Sequence, residues 1–235
     1  MRYPAFFRAV LFLAAFILVL PVSFAATASK KPSSTKGTIE GTITVTAPAR
    51  PLPAKPAASR YNYGSNQPAH VLPEEIVVYL EKAKGKFKAP QQHAALDQKY
   101  LQFTHRVLPI LAGTVVDFTN NDPVYHNVFS NSQANEKFDL GRKKAGEKIS
   151  HKFTKPEDVK IYCEIHAAMK SHILVLQNPY FAVVQPGGKY SLANVPPGTY
   201  KLVVWHDYWA PVEKEIVVKK GKTAVADAVL DKAQF

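Results

Sequence analysis

The sequence predicts an all-β protein, and three observations support that prediction. Apolar and β-branched residues alternate with polar ones over short segments, which is typical of strands half-buried in a sheet. Turn signals such as Pro186-Gly187-Gly188 and Pro196-Pro197-Gly198 recur roughly every ten residues. No segment has the apolar periodicity of an amphipathic helix. We therefore expect antiparallel sandwiches or barrels.

The chain is long enough for one or two compact domains. It has 235 residues, and an apolar content of 46% is sufficient for a hydrophobic core, which excludes a wholly disordered protein. Its single cysteine, Cys163, excludes an intramolecular disulfide framework, a Cys-x-x-Cys redox pair, a zinc ribbon and an iron–sulfur cluster, because each of these needs further thiols.

Residues 1–26 have the organisation of a secretory signal peptide. Arg2 and Arg8 precede an apolar run from Ala9 to Leu20, and Pro21 and several small residues follow that run. An uncleaved membrane anchor is the alternative, because an apolar run that reached Ala26 would approach spanning length. With cleavage, the sequence predicts a periplasmic or secreted protein without a membrane span.

Basic residues outnumber acidic ones, 30 to 18, which gives a net charge of +12. Removing residues 1–26 takes away two arginines and no acidic residue, so +10 remains. The basic residues are spread along the chain and no helix-turn-helix or RNA-binding signature accompanies them, so nucleic-acid binding is not expected. A surface that steers an acidic partner and an ordinary solvated face both stay open.

The first elements after the signal can be assigned in order. Residues 27–36 are rich in Ser, Thr and Lys and are predicted to be a flexible lead-in. The β-branched alternation from Gly37 to Thr46 predicts a strand, and the six prolines between Pro48 and Pro73 predict a loop or linker. Glu74 to Leu80 is a second predicted strand.

Two β-rich blocks follow. The first is predicted to contain the strands Leu96–Phe103, Val107–Leu111, Thr114–Phe118, His126–Ser130, Lys148–Phe153, Val159–Tyr162 and His172–Leu176. The second is predicted to contain the strands Phe181–Val184, Tyr190–Leu192, Thr199–Trp205, Val212–Val218 and Ala224–Leu230.

The segment from Cys163 to Met169 contains a thiol, an imidazole and a thioether within seven residues, between two predicted strands. His126 lies upstream, at the start of a strand, and is placed to supply a fourth donor. One thiolate, two imidazoles and one thioether are the ligands of a trigonal His2Cys copper site with a weak axial Met, whereas zinc gains little from Met. His126, Cys163, His166 and Met169 are therefore predicted to bind one mononuclear copper ion.

The segment from roughly Ala95 to Gln177 resembles the cupredoxins, the plastocyanin and amicyanin family of blue copper proteins. The resemblance rests on Leu108–Ile110, Gly113-Thr114, Val116–Asn120, His126–Ser130 and Cys163-x-x-His166-x-x-Met169. It implies a Greek-key β-sandwich, a type 1 copper site formed by the four predicted ligands, and a role for Asn127 in bracing the thiolate loop. The spacing from His166 to Met169 is that of amicyanin, but the proline that the family has within this loop is absent.

The flanking segments are similar to the carboxypeptidase regulatory-like domain, a small β-sandwich of the prealbumin type. The similarity rests on Gly37–Val45, Ile76–Leu80, Gly187–Leu192 and Val195–Leu202. Because the cupredoxin-like block interrupts this strand order, we expect one sandwich from residues 37–89 and 179–235, with the cupredoxin domain at 90–178 inserted in it. A sequential division, with cupredoxin strands drawn from Glu74 onward, is the alternative.

The resemblance implies an exported one-electron carrier that works between redox partners such as a cytochrome or a dehydrogenase. His166 would be its electron port, with Ala167 and Ala168 as a small apolar docking rim. An enzyme is not expected, because four donors leave no open position for a substrate and no catalytic motif accompanies them. A copper delivery or storage protein and a non-redox adhesion or scaffold protein are the alternatives. The remaining histidines, among them His206 in the aromatic segment Trp205–Trp209, are expected to be structural.

Overall fold

The computed structural model describes residues 35–46, 76–135 and 137–231. These residues form β-strands joined by turns, which confirms the all-β prediction. The predicted signal peptide, most of the lead-in and the proline-rich segment lie outside the described residues. Within the described part of the chain, no helix has the length and apolar character needed to cross a membrane.

The strands are numbered in chain order. They are β1 Gly37–Val45, β2 Val77–Leu80, β3 Ala94–Ala95, β4 Gln98–Lys99, β5 Gln102–Phe103, β6 Val107–Leu111, β7 Val115–Thr119, β8 His126–Ser130, β9 Phe138–Lys143, β10 Lys148–Lys152, β11 Glu157–Tyr162, β12 Lys170–Leu176, β13 Phe181–Val183, β14 Lys189–Val195, β15 Gly198–Trp205, β16 Val212–Val218, β17 Thr223–Val225 and β18 Ala228–Leu230.

The central part of the chain builds two sheets around one apolar core. The larger sheet has the strand order β6-β12-β11-β8-β9, and the smaller one has the order β10-β7-β3. Alternate residues are buried, such as Val116 and Phe118 on β7 and Val159 and Ile161 on β11, as expected for strands that cover a core with one face. The core that these residues form also contains Cys163.

The first two strands pair with strands from the C-terminal end of the chain. β1 lies antiparallel to β14 and parallel to β17 and β18, with Ile43 opposite Ala228. β2 lies between β13 and β15, antiparallel to both, and β16 pairs with β15. A second apolar core joins these strands and includes Ile39, Leu202 and Leu230. This pairing is what the insertion hypothesis requires, whereas the exact domain boundaries stay a prediction.

β12 contributes side chains from its two faces to two different apolar clusters. Ile173 and Val175 face the core of the central sheets. Leu174 and Leu176, which point to the opposite face, belong to a third apolar cluster that includes Val77 of β2. Because successive side chains of a strand point to opposite faces, one strand can contribute to both the central core and this third cluster.

Two predicted strands are divided in the structure: residues 224–230 form the separate strands β17 and β18, and residues 96–103 are divided as well. Residues 96–103 do not form a continuous strand; β4 and β5 pair across a turn at Tyr100 and Leu101, whose φ angles are +59° and +58°. The backbone amides of these two residues donate to the buried carboxylate of Asp122, at 2.6 and 2.8 Å. A contact with a distant residue therefore stabilises a left-handed backbone conformation that side-chain-bearing residues rarely adopt.

β9 has no counterpart among the predicted strands. Phe138 and Leu140 do alternate with polar residues, but Gly141 follows them and weakens the strand pattern. β9 is nevertheless paired with β8 over most of its length, and Lys143 lies opposite His126. β9 is therefore the sheet neighbour of β8, the strand that begins with the predicted copper ligand His126.

Gly41 of β1 tests the pairing of this strand with the C-terminal strands. A Cβ atom at this position would overlap the carbonyl oxygen of Ala226 and lie 2.9 Å from the ring of Tyr190. We expect Gly41→Ala to lower the free energy of unfolding by about 1–3 kcal/mol, because the backbone must move to make room. Denaturant unfolding measures this. Thr44→Ala, at an exposed position of the same strand, is the control, with a change within about 0.5 kcal/mol. Equal stability of the two variants would contradict the observed pairing.

Candidate metal centre

The predicted ligands meet at one edge of the larger sheet. His126 is the first residue of β8, Cys163 follows the last residue of β11, and Met169 precedes the first residue of β12. β11 is antiparallel to both β8 and β12. In antiparallel pairs the end of one strand lies beside the start of its neighbour, so all three positions come to the same edge.

Three donor atoms converge at this edge. The donor atoms of His126, Cys163 and His166 lie within 4.8 Å of one another. The two imidazole Nδ1 atoms are 3.0 Å apart, and Cys163 Sγ lies 4.0 Å from that of His126 and 3.8 Å from that of His166. A triangle of this size surrounds a point about 2 Å from each atom, close to the length of transition-metal bonds to imidazole and thiolate. The donor set and its spacing therefore fit a single copper ion.

Met169 closes the loop that carries the other donors. Its side chain is 1% exposed and packs in the same core as Cys163. The Cys163 amide donates to the Met169 carbonyl at 3.3 Å, and the Met169 amide donates to the His166 carbonyl at 2.9 Å. Because β11 and β12 are paired up to Tyr162 and Lys170, these bonds continue the ladder into the loop. The backbone of the seven-residue loop is thus fixed at both ends.

Asn127 braces the same loop from the neighbouring strand, as the cupredoxin resemblance implies. Its buried side-chain oxygen accepts a hydrogen bond from the Glu164 amide at 2.7 Å. Its own carbonyl accepts a hydrogen bond from the Gln98 side chain at 3.2 Å. The residue after one histidine donor is therefore bonded to the residue after the cysteine donor, which ties the two segments together.

The surroundings of Cys163 favour its thiolate form. Burial by itself raises the pKa of the thiol, but hydrogen bonds from the His126 side chain and from the backbone amides of Asn127 and His166 outweigh it and lower the pKa below its ordinary value. The thiolate is the form that binds metals. The loop thus provides hydrogen bonds to the sulfur in addition to placing it.

The two imidazoles differ in charge. His126 is fully buried; this burial lowers its pKa, but the Asp122 carboxylate, 2.8 Å from its Nε2, and the neighbouring Cys163 raise the pKa to about 9. For His166, burial and the charge of His126 lower the pKa. In the protein without metal, the protonated His126 therefore donates from Nδ1 to the neutral His166.

Asp122 is a site residue that the sequence reasoning missed. Burial raises its pKa, but its bonds to His126 and to the amides of Leu101 and Tyr100 together lower it. Because the carboxylate holds Nε2 of His126, the Nδ1 atom of that ring is directed to the other donors. The spacing of four residues between Asp122 and His126, across a Pro-containing loop, is the sequence signal that could have indicated it.

The remaining described histidines lie in other contacts. His93 and His172 each contact a carboxylate, of Asp117 at 2.8 Å and of Asp158 at 2.7 Å. His151 stacks on Phe138, with ring centroids 4.1 Å apart. Within residues 35–46, 76–135 and 137–231, the group of His126, Cys163 and His166 is the cluster suited to a metal ion.

Replacing Asp122 is expected to change the titration of His126. In the metal-free protein, Asp122→Asn should lower the His126 pKa from about 9 toward the ordinary 6.5, because the carboxylate that stabilises the imidazolium is lost. In the parent protein, the raised pKa stabilises the fold fully below about pH 6.5, and this contribution is lost as the pH rises through about 9. The imidazole signals in an NMR titration measure the pKa.

Asp117→Asn is the matched control, since it removes a carboxylate from another His–Asp contact of the same domain. It should leave the His126 titration near pH 9. If His126 titrated near pH 9 in Asp122→Asn as well, the carboxylate would not be the cause of its raised pKa.

Comparisons with known proteins find similarity over the segment that contains this site. Residues 90–176 match the model of the copper binding proteins of the plastocyanin/azurin family. No curated protein matches the chain.

Several solved structures are similar to part of the chain. A Cu-containing nitrite reductase from Thermus scotoductus SA-01 is 27% identical with a TM-score of 0.36, and the match covers 42% of this chain and 25% of that one. A purple cupredoxin from Nitrosopumilus maritimus is 24% identical with a TM-score of 0.31, over 35% of this chain and 98% of that one. A reduced amicyanin variant is 18% identical with a TM-score of 0.34, and the match covers 42% of this chain and 97% of that one.

The match thus spans a quarter of the nitrite reductase and nearly the whole of the two small cupredoxins. The family match covers the segment that contains His126, Cys163, His166 and Met169. Residues 90–176 are therefore similar to the copper binding proteins of the plastocyanin/azurin family, and the donor set within this segment suits copper.

Proposed function

We propose that this protein is an exported blue copper protein that carries single electrons between redox partners. Its copper ligands would be His126, Cys163, His166 and Met169. The observation that carries the proposal is the convergence of one buried thiol and two imidazole Nδ1 atoms within 4.8 Å of one another, in a domain of a copper-binding family.

The donor types suit reversible one-electron chemistry. Bound copper supplies a Cu(II)/Cu(I) couple, in which thiolate and thioether favour the reduced ion and imidazoles suit the oxidised one. The protein holds these donors by contacts independent of the ion, through Asp122 to His126 and through Asn127 to the Cys163 loop. Donors that are fixed in this way move little when the oxidation state changes, and little movement makes electron transfer fast.

His166 is the proposed electron port. Of the four proposed ligands, it is the one that is partly exposed, whereas the other three are buried. Around it, Ile165 is 39% exposed, and Ala167 and Ala168 are exposed beside it. We name these three residues the apolar rim. A small apolar surface costs little to desolvate, so it suits brief contacts with a partner.

The partner is proposed to be an acidic redox protein, such as a cytochrome or a dehydrogenase. Basic side chains border the ligand loop: Arg142, Lys143 and Lys144 at the end of β9, and Lys170 directly after Met169. Glu164 contacts Arg142 at 3.0 Å and Glu147 contacts Lys144 at 4.0 Å, so the four basic side chains exceed their acidic partners by two charges. Complementary charge accelerates encounter and orients the partner before apolar contact forms.

A carrier is proposed rather than an enzyme, because four protein donors leave no open position for a substrate. Nitrite reduction is the activity in the name of the similar nitrite reductase, and the match covers only a quarter of that enzyme's chain. A copper delivery protein would use the same ligands without redox cycling. Reversible electron transfer is therefore the property that distinguishes a carrier from a delivery protein. Export is proposed from the signal-like residues 1–26.

Copper titration tests the ligand set. Adding Cu(II) to the mature protein should produce an intense visible thiolate-to-copper charge-transfer band and a narrow hyperfine splitting in electron paramagnetic resonance. Cys163→Ser should abolish the band and weaken copper binding more than about 100-fold, because the soft anionic donor is lost. Absorbance and competition with a chelator measure both effects.

His93→Ala is the control for this titration, since His93 is exposed and contacts Asp117 instead of the other donors. It should keep both the band and the affinity. A parent protein without the band, or unchanged affinity in Cys163→Ser, would refute the blue copper site. Reversible voltammetry of the copper form then supports a carrier, and its absence supports delivery or storage.

The charge of the bordering residues should appear in electron-transfer kinetics. Oxidation of the reduced copper protein by anionic ferricyanide should slow as salt is added, because screening weakens attraction to the lysines. A cationic cobalt phenanthroline oxidant should respond in the opposite direction. Lys144→Glu should reduce the rate of oxidation by ferricyanide several-fold at low salt, as measured by stopped-flow absorbance. Lys189→Glu, at an exposed position of β14, is the control and should leave this rate nearly unchanged. Equal salt dependence for both oxidants would contradict a basic docking surface.

A further inference from the structure

The loop after β15 lies in the C-terminal part of the chain and is firmly anchored. His206 is fully buried, Trp209 is 2% exposed, and their ring centroids are 4.3 Å apart. The Tyr208 amide donates to His206 Nδ1 at 3.1 Å. Burial lowers the pKa of His206 to about 4, so its imidazole is neutral and can accept this bond. The two residues between these anchors, Asp207 and Tyr208, are therefore held in place.

Asp207 and Tyr208 both contact the copper-binding domain. The Asp207 carboxylate binds the guanidinium of Arg106 through two bonds of 2.9 and 2.8 Å, and both side chains are largely buried. The Tyr208 ring lies 3.9 Å from the Arg106 guanidinium carbon and 5.7 Å from the Lys170 ammonium. A paired fork fixes orientation as well as distance, which a single charge contact does not.

Arg106 in turn holds the first residues of β12. Its carbonyl accepts a hydrogen bond from the His172 amide at 2.9 Å. The hydroxyl of the buried Ser171 donates to the His105 carbonyl at 2.8 Å. His172 also stacks edge-on against Trp205, at 5.4 Å between centroids. The start of β12, directly after Met169, is thus held both by the segment at residues 105–106 and by Trp205 at the end of β15.

We infer that Asp207 and Tyr208 are positioning residues for the copper site. They act through Arg106, whose carbonyl is bonded to the His172 amide, and through Lys170, the first residue of β12, and so fix Met169 and the end of the ligand loop. The inference rests on the proposed function for the identity of the site, and it assigns to the C-terminal strands a role in setting the properties of the copper.

This arrangement differs from ordinary packing of two cores. Leu174 and Leu176 already cover the distal half of β12 through apolar contacts, and apolar contacts of this kind tolerate small shifts along a strand. At the opposite end of β12, the ion pair contacts His172 and the aromatic ring lies near Lys170. Loss of the Arg106–Asp207 ion pair would therefore leave the apolar contacts of β12 in place while loosening the end of the strand next to Met169.

Asp207→Asn and Tyr208→Leu test the inference, each on the full mature protein. Hydrogen exchange of the Met169 and Cys163 amides in the metal-free protein should accelerate about tenfold, because these two amides close the loop. In the copper-loaded protein, the reduction potential should shift and the hyperfine splitting should change. Glu213→Gln is the matched control: it removes a carboxylate from the exposed contact with Lys201, at 3.0 Å, in the same part of the chain. It should leave all readouts unchanged.

Two results would overturn the inference. One is unchanged exchange of the Met169 amide and an unchanged reduction potential in both variants. The other is equal acceleration of the Met169 amide and of amides in β7, such as Phe118, which would indicate a general loss of stability. A parent protein without a thiolate-to-copper band would refute the proposed function instead, and the exchange experiment would still decide whether Asp207 and Tyr208 position the loop.

Discussion

The register between β11 and β12 is the constraint on which the rest of the site depends. Val159 lies opposite Ile173 and Tyr162 opposite Lys170, so the loop between the strands must close over seven residues. A slip of one residue would turn Ile161 out of the core and carry Cys163 away from the imidazoles, because side chains alternate between faces. The burial of Ile161 and Ile173 thus determines where the sulfur and the thioether lie.

The metal-free site contains buried charge, and the surrounding contacts compensate for it. Asp122 is an anion almost without solvent, and it is balanced by His126 and by two backbone amides of the Tyr100–Leu101 turn. Burying a charge is costly unless it is paired and hydrogen-bonded. The left-handed turn therefore has a function at a distance: its amides keep the carboxylate in position, and the carboxylate orients the histidine.

The strands outside the copper-binding domain are also connected to this site. β12 has one face in each of two apolar clusters, so its position is shared between them. The fork between Arg106 and Asp207 adds a directional contact at the end of the strand nearest Met169. The stiffness of the ligand loop can in this way depend on neighbouring strands, since β12, the strand that follows the loop, is held by contacts from outside residues 90–176.

The sequence by itself determined the all-β class and the copper-binding character, because strand alternation and the donors Cys163, His166 and Met169 are local patterns read within a few residues. His126 could be added because its residue type completes the donor set. Only the tertiary structure decided the turn at Tyr100, the role of Asp122 and the Arg106–Asp207 contact. The partners in these contacts are 22 residues apart for Tyr100 and Asp122 and 101 apart for Arg106 and Asp207. Contacts of this kind depend on which strands pair, and a local pattern carries no information about that pairing.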